Sequence, residues 1–232
     1  FLTDATPGLV VCRPQMRGLI DELAKTAKVP NVLELDDSGK GSLIEAATPF
    51  ADTFATAPRA DDDLAAILYT SGTTGRSKGA MLTHRNLAVN AQTLHAYWKF
   101  RKGDVLLHML PIFHVHGLFV ASHCALLNGS AMLFEPKFDG KRALALLPKA
   151  MVFMGVPTYY VRLLLEAGFD KKLVRHMRLF VSGSAPLLKE TFDEFRERTG
   201  HTILERYGMT EGGMFTSNPY DGDRRGGTVG FP

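Results

Sequence analysis

The run Tyr69 Thr70 Ser71 Gly72 Thr73 Thr74 Gly75 Arg76 Ser77 Lys78 Gly79 holds the residue types that grip phosphate. Glycines let backbone N–H groups close on an anion, the hydroxyls add donors, and Arg76 and Lys78 add positive charge. The apolar stretch Leu64 to Tyr69 stands directly before it, which predicts a buried strand delivering the chain into a donor-rich turn. A solvated loop has a similar composition, and the ordered string is what favours a binding role. A Walker loop ends in Gly-Lys-Ser/Thr, whereas here Lys78 precedes Gly79, so P-loop kinase or GTPase chemistry is disfavoured.

Other chemistry-bearing residues are weaker taken alone. His114 and His116, with His108, His123 and Cys124 nearby in sequence, lack a Cys pair or a helical His-x-x-x-His frame, which argues against zinc. Neither Ser182 nor Ser184 has the two flanking glycines of a nucleophile elbow, which argues against serine-hydrolase chemistry. Glu211 by itself reads as a surface glutamate and Arg162 as a helix-surface arginine, while Arg206 ends an apolar strand and is harder to dismiss.

The order Thr-Ser-Gly-Thr-Thr-Gly-x-x-Lys-Gly resembles the phosphate loop of the adenylate-forming superfamily, which includes acyl-CoA synthetases, luciferases and adenylation domains of peptide synthetases. Further pieces follow in the family's order: Pro111 to Gly117, Gly155 to Thr158, Val181 to Pro186 and Tyr207 to Glu211. The resemblance covers the chain from about Asp63 to Pro232.

That resemblance implies an acid–thiol ligase using ATP, Mg2+ and coenzyme A. A carboxylate is a poor electrophile, and joining it to AMP supplies a good leaving group, so positioning and charge stabilisation dominate the catalysis. Thr70, Ser71, Gly72, Thr73, Thr74, Gly75 and Lys78 would hold the β- and γ-phosphates. Glu211 would help hold Mg2+, directly or through water. Adenine would lie against the small residues Gly183, Ser184, Ala185 and Pro186, with Tyr207 stacking on its other face and Gly208, Met209 and Thr210 completing the nucleotide site. The same turn also reads as a helix start, with Ser184 capping and Pro186 as first helical residue. Thr70, Lys78, His116 and Glu211 are the expected catalytic set, with His116, or else His114, beside the acyl carboxylate.

Arg162, on the helix after Gly155 to Thr158, and Arg206, before Tyr207, flank the acyl site the resemblance implies. Arginine is costly in an apolar acid pocket unless its forked donors meet a second carboxylate, so the pair points to a short dicarboxylic acid. Glu205 to Glu211, Gly155 to Leu164 and the His-Val-His segment look like malonyl-CoA synthetases. Malonate is the expected acid, with methylmalonate tolerated and Arg162, Arg206, His116 and Ser184 contacting it. The rivals are a ligase for a monocarboxylic fatty or aryl acid and a nucleotide-binding module without catalysis.

The positioning elements follow from periodicity. Strands are expected at Leu9–Cys12 and Asn31–Leu35, around a helix carrying Met16, Leu19, Ile20, Leu23 and Ala27. Turn formers fill Asp36–Ser42, and those of Thr48–Ala60 read as a linker. From Leu64 the pattern alternates: strands at 105–110, 131–134, 151–154, 178–181 and 202–206, helices at 83–97, 118–127, 142–147, 158–167 and 187–198. In the last helix Leu188, Phe192 and Phe195 form the apolar stripe. This predicts an α/β fold of mainly parallel sheets wrapped by helices, with ligands at the carboxyl ends of strands. The expected division is an N-terminal α/β segment, 1–60, and an adenylation core, 61–232. The family's ribose-binding segment and lysine-bearing C-terminal lid would lie beyond Pro232, so the chain reads as a piece of a larger enzyme and poorly active alone.

At 232 residues with 45% hydrophobic content, the chain can bury a substantial core. A net charge of +3, scattered along the chain, implies no nucleic-acid partner. Cys12 and Cys124 are too few for a disulfide framework and are expected to be buried apolar residues. No leader or spanning segment is visible, so a cytoplasmic location with no membrane association is the default. Oligomeric state is not legible.

Overall fold

The computed structural model describes residues 1–70 and 77–232. Ser71, Gly72, Thr73, Thr74 and Gly75, with Arg76, lie outside the described residues. Two compact units result, one formed by Phe1–Ala60 with Tyr69–Gly79, the other by Asp61–Leu68 with Ala80–Pro232.

In the first unit, helix α1 (Leu2–Ala5) leads into strand β1 (Val10–Cys12), helix α2 (Arg17–Ala27) and strand β2 (Val32–Glu34). β1 and β2 pair in parallel, Val10 opposite Val32. Helix α3 (Ser42–Ala47) follows, where no element is expected; the Ser42 hydroxyl accepts from the Glu34 amide at 2.9 Å and ties its start to β2. The helical period of α2 is real, yet Met16, Leu19 and Leu23 stay exposed and Ala24 is its one buried residue. Cys12 is half-buried rather than buried, because a three-residue strand paired on one edge covers little. Tyr69 donates its phenol to Asp4 at 2.6 Å and packs edge-on against Phe1.

Strands β3 (Leu64–Thr70) and β4 (Lys78–Thr83) pair as a two-stranded sheet, and β4 is a strand that the glycine-rich run conceals in the sequence. Helix α4 (His84–Tyr97) begins at a capping box: Thr83 accepts from the Asn86 amide while Asn86 accepts from the Thr83 amide.

The second unit is built on a six-stranded sheet of β5 (Val105–His108), β6 (Ala131–Phe134), β7 (Val152–Gly155), β8 (Leu179–Ser182), β9 (Leu204–Met209) and β10 (Gly213–Ser217), in the order β10-β9-β8-β7-β5-β6. β5 to β9 run parallel and β10 is antiparallel to β9. Every residue of β7 and β8 is buried, as a parallel strand covered on both faces requires. Successive residues point to opposite faces. Leu107, Phe153 and Phe180 join a core with Tyr160, Phe169 and Phe195, while Leu106, Val152 and Val181 join one with Trp98, Leu94 and Val120.

Helices α5 (Ser122–Leu127), α6 (Gly140–Leu146), α7 (Pro157–Leu164), α8 (Lys171–Val174) and α9 (Lys189–Thr199) connect these strands. α9 starts two residues later than expected: Leu187 is buried, Leu188 is 65% exposed, and Phe192 with Phe195 carries the apolar stripe. Ser184 therefore does not cap this helix. β9 runs on past Arg206 to Met209 because β10 pairs with it, so Tyr207, Gly208 and Met209 are strand residues rather than loop. The expected helix at 118–127 is two pieces, a π-helical turn at His116–Ala121 and then α5. No described helix is long and apolar enough to cross a membrane.

Candidate active site

The chain runs from β5 to β6 on one side of β5, then returns to β7 on the other. Such a switch opens a crevice at the carboxyl ends of the strands. The segment after β5 carries His114 and His116, that after β7 carries Pro157, and that after β8 carries Gly183 and Ser184.

Arg206 is the central group. The β8–β9 register sets Ser182 opposite Glu205, which brings Arg206 beside Gly183, one step past the end of β8. Its side chain is 2% exposed, and Nε and Nη2 are buried with no hydrogen-bond partner among the described residues. Burial lowers the guanidinium pKa to about 10, so the group stays cationic at neutral pH. A buried unpaired cation costs several kcal/mol, roughly, in any protein, and an anion in its donor fork offsets that cost.

His116 is fully buried, with Nε2 lacking a partner among the described residues and Nδ1 3.2 Å from the Ser184 hydroxyl. Its amide donates to Nδ1 of His114 at 3.1 Å, which leaves the His114 proton on Nε2. Burial, then the Arg206 charge, holds His116 well below the usual histidine range, and the same two causes act on His114. Ser184 adopts φ 71°, a left-handed conformation uncommon for serine. Strain of this kind is seen where surrounding structure fixes a residue in place.

The close turn before His116 depends on Gly117: a Cβ there would lie 2.3 Å from the Pro111 carbonyl oxygen. That residue's own carbonyl accepts from Ser122 Oγ at 2.9 Å and lies 3.0 Å from His108 Nε2, which anchors the turn to β5.

The turn from Ser184 to Leu187 and strand β9 from Glu205 to Gly208 wall a cavity of about 340 Å³. That volume suits a small ligand. Tyr207, half exposed, lines it together with Ala185 and Pro186. Glu205 is a member that sequence reading gave no role. Its Oε1 accepts from the Leu187 amide at 2.8 Å, Oε2 is buried without a partner among the described residues, and burial raises its pKa. A charged residue inside an apolar strand was the available signal. A larger recess of about 560 Å³ lies beside α8, between Pro148 and His176, and contains none of the motif residues.

Thr210 and Glu211 occupy the β9–β10 turn, where Glu211 is exposed and has no ion-pair partner among the described residues. A free, hard carboxylate of this kind fits Mg2+, which takes one or two carboxylates and completes its shell with phosphate oxygens and water. No three His, Cys, Asp or Glu side chains among the described residues converge as a ready-made metal cage. Met209 is 42% exposed on the same strand. Thr70 and Lys78 end β3 and begin β4, with Lys78 exposed. Arg162 is exposed on α7, its guanidinium 4.7 Å from the Phe138 ring centre. It is engaged there, whereas the groups brought to Arg206 are His116, Ser184 and Gly183.

The AMP-binding enzyme family matches residues 1–232. Mouse (Mus musculus) malonate–CoA ligase ACSF3, designated mitochondrial, is 44% identical over 184 residues, covering 72% of this chain and 32% of the mouse protein. Malonate–CoA ligase of Arabidopsis thaliana is 40% identical over 202 residues, 78% of this chain and 33% of that one. The crystal structure of ATP-bound MatB from Rhodopseudomonas palustris superposes with TM-score 0.96 at 56% identity, covering 99% of this chain and 46% of that one. The chain thus spans about a third of the length of the curated relatives it matches. With the phosphate-loop, His-Val-His and Tyr-Gly-Met-Thr-Glu segments in order along the sequence, and a mostly parallel α/β sheet in the second unit, the chain belongs to the AMP-binding enzyme family.

Proposed function

We propose that the protein carrying this chain activates malonate, with methylmalonate tolerated, as its adenylate at the expense of ATP and then transfers the acyl group to coenzyme A. The observation that carries this reading is Arg206, a buried guanidinium whose Nε and Nη2 have no hydrogen-bond partner among the described residues. A monocarboxylic acid offers nothing to that fork once its carboxylate is committed to reaction, whereas a dicarboxylic acid brings a second carboxylate. The malonate–CoA ligase names of the mouse and Arabidopsis relatives support the same acid.

In this reading Arg206 holds the distal carboxylate, His116 and Ser184 stand beside the acyl group, and Arg162 joins the acid site from α7 only by leaving the Phe138 ring. The proximal carboxylate oxygen attacks the α-phosphorus, the bond to pyrophosphate breaks, and the acyl-adenylate forms. The coenzyme A thiol, losing its proton, then attacks the acyl carbon and AMP departs. Thr70, Ser71, Gly72, Thr73, Thr74, Gly75 and Lys78 position the β- and γ-phosphates, while the backbone of Gly183 to Ala185, Tyr207, Gly208, Met209 and Thr210 hold the nucleoside. Glu211 would hold Mg2+, whose contribution when bound is neutralisation of phosphate charge. The partition into a 1–60 segment and a 61–232 adenylation core belongs to the same reading, as do small-molecule partners only. So does a cytoplasmic location, which fractionation of the native cells tests against the mitochondrial designation of the mouse relative.

The deciding experiment is acid-dependent pyrophosphate release by a full-length protein carrying this chain, with malonate, methylmalonate, acetate, butyrate and octanoate compared at fixed ATP and Mg2+. Malonate is expected to lead. Preference for a monocarboxylate overturns the choice of acid, and release with none of them overturns the ligase reading.

A further inference from the structure

Gly183 stands directly against the end of Arg206. A Cβ at position 183 would lie 2.4 Å from Cζ and 2.5 Å from both Nε and Nη1 of that guanidinium. No side chain fits there while Arg206 keeps its position. The backbone supplies no separate demand for glycine, since Gly183 is absent from the positive-φ glycines. The requirement therefore comes from the arginine.

The converse also holds. Nε and Nη2 make no hydrogen bonds among the described residues, so packing, not a polar partner, locates this guanidinium. The surface it packs on is the bare Cα of Gly183, held in turn by the Gly183 amide on the Gly155 carbonyl at 3.3 Å, at the end of β7.

We infer that Gly183 is a specificity-determining residue: its missing side chain seats the Arg206 guanidinium at the depth where it meets a second carboxylate. This rests on the dicarboxylate reading above. A methyl at 183 displaces the flexible end of Arg206 and leaves the strand intact, so the preference for a dicarboxylic acid falls while the fold survives. Loss of a contact between Gly183 and nucleotide would weigh on every acid alike and cancel in the ratio of two acids, and a double-mutant cycle isolates the coupling to Arg206.

The test uses the full-length protein, with Gly183→Ala made alone and together with Arg206→Met, and kcat/KM measured for malonate and butyrate. Gly183→Ala is expected to lower the malonate-to-butyrate ratio by roughly 10- to 100-fold, mainly through the KM for malonate. In the Arg206→Met background the same alanine is expected to change that ratio by less than about twofold, because the coupled partner is gone. An equal loss of ratio in both backgrounds, or none in the first, overturns the inference. A wild-type protein that does not use malonate overturns the functional reading instead. The crystal structure of Gly183→Ala then decides this inference alone, a displaced guanidinium supporting it and an unmoved one overturning it. Should Gly183→Ala fail to fold, recovery of the fold in the double variant reads the same coupling, and failure of both overturns it.

Discussion

The second unit buries two arginines in opposite ways. Arg178 is saturated: Nε donates to Asp104 Oδ1 at 2.7 Å, Nη2 pairs with Asp104 Oδ2, and Nη1 reaches the Tyr220 hydroxyl at 3.2 Å and the Trp98 carbonyl at 3.3 Å. Its guanidinium also lies over the Phe100 and Tyr220 rings. Burial acts to lower its pKa, and the hydrogen bonds to Asp104 and Tyr220 outweigh this and leave it raised. Arg206 is more deeply buried yet has no such partners among the described residues, and its pKa is lowered to about 10. One cation ties α4, β8 and the C-terminal segment together. The other is held at the folded protein's expense, which is the mark of a binding group rather than a brace.

The contrast can be broken by exchange of roles. Asp104→Ala strands the Arg178 charge and is expected to cost about 3–5 kcal/mol of stability by chemical denaturation, with acid preference unchanged. Loss of acid preference at intact stability would reverse the assignment. Arg206→Met is expected to do the opposite: malonate-dependent kcat/KM drops by about 2–5 kcal/mol of transition-state stabilisation, while the denaturation midpoint holds or rises because an unpaired charge has been removed. An unchanged malonate rate at ordinary substrate concentration sinks the role given to Arg206.

A smaller effect sharpens the electrostatic side. His116 is depressed well below its ordinary value, chiefly by burial, and burial depresses His108, His114, His123 and His201 as well. Below the ordinary histidine pKa the unfolded chain takes up protons that the folded one refuses, so stability present at neutral pH is lost on acidification. For a fully buried group such as His116 this amounts to at most about 1.4 kcal/mol per pH unit in that window, and less for the histidines that water still reaches. His116→Gln is expected to flatten the slope between roughly pH 6.5 and 5.5, read from denaturation midpoints; an unaltered slope would show that His116 is not the neutral buried group. The smallest effect falls on Ser184. Ser184→Gly relieves the φ of 71° and is expected to raise stability by about 0.5–1 kcal/mol, while loss of the hydroxyl beside His116 lowers malonate kcat/KM by a similar amount.

Much of this was legible because burial writes itself into composition. β7 (Val-Phe-Met-Gly) and the first three residues of β8 (Leu-Phe-Val) are continuous apolar runs, and Glu205 with Arg206 stands out as a charged pair directly after Ile203 and Leu204. β10 was not legible: Gly213 to Ser217 is a mixed edge strand with a register shift between Met214 and Thr216, so no alternation survives. β4 was masked by Lys78 and Gly79, residues whose types point to phosphate rather than to a strand. α3 and α8 are too short for their period to show. Within the site, the approach of Ser184 to His116 joins positions 68 apart, and Gly183 acquires its meaning only when β9 lies beside β8. Local patterns report what a segment buries; they carry no register between distant segments.

The π-helical turn that starts at His116 sets the angular phase of the site. One extra residue in a helical turn rotates everything on its N-terminal side by about 100° against its C-terminal side. α5 keeps its packing through buried Ser122, Cys124 and Ala125, so the rotation falls on the N-terminal side of the turn, which carries His116. The direction in which this imidazole faces is thus encoded in the number of residues between Gly117 and Ser122, and a single deletion there would re-aim the ring without altering any residue of the site.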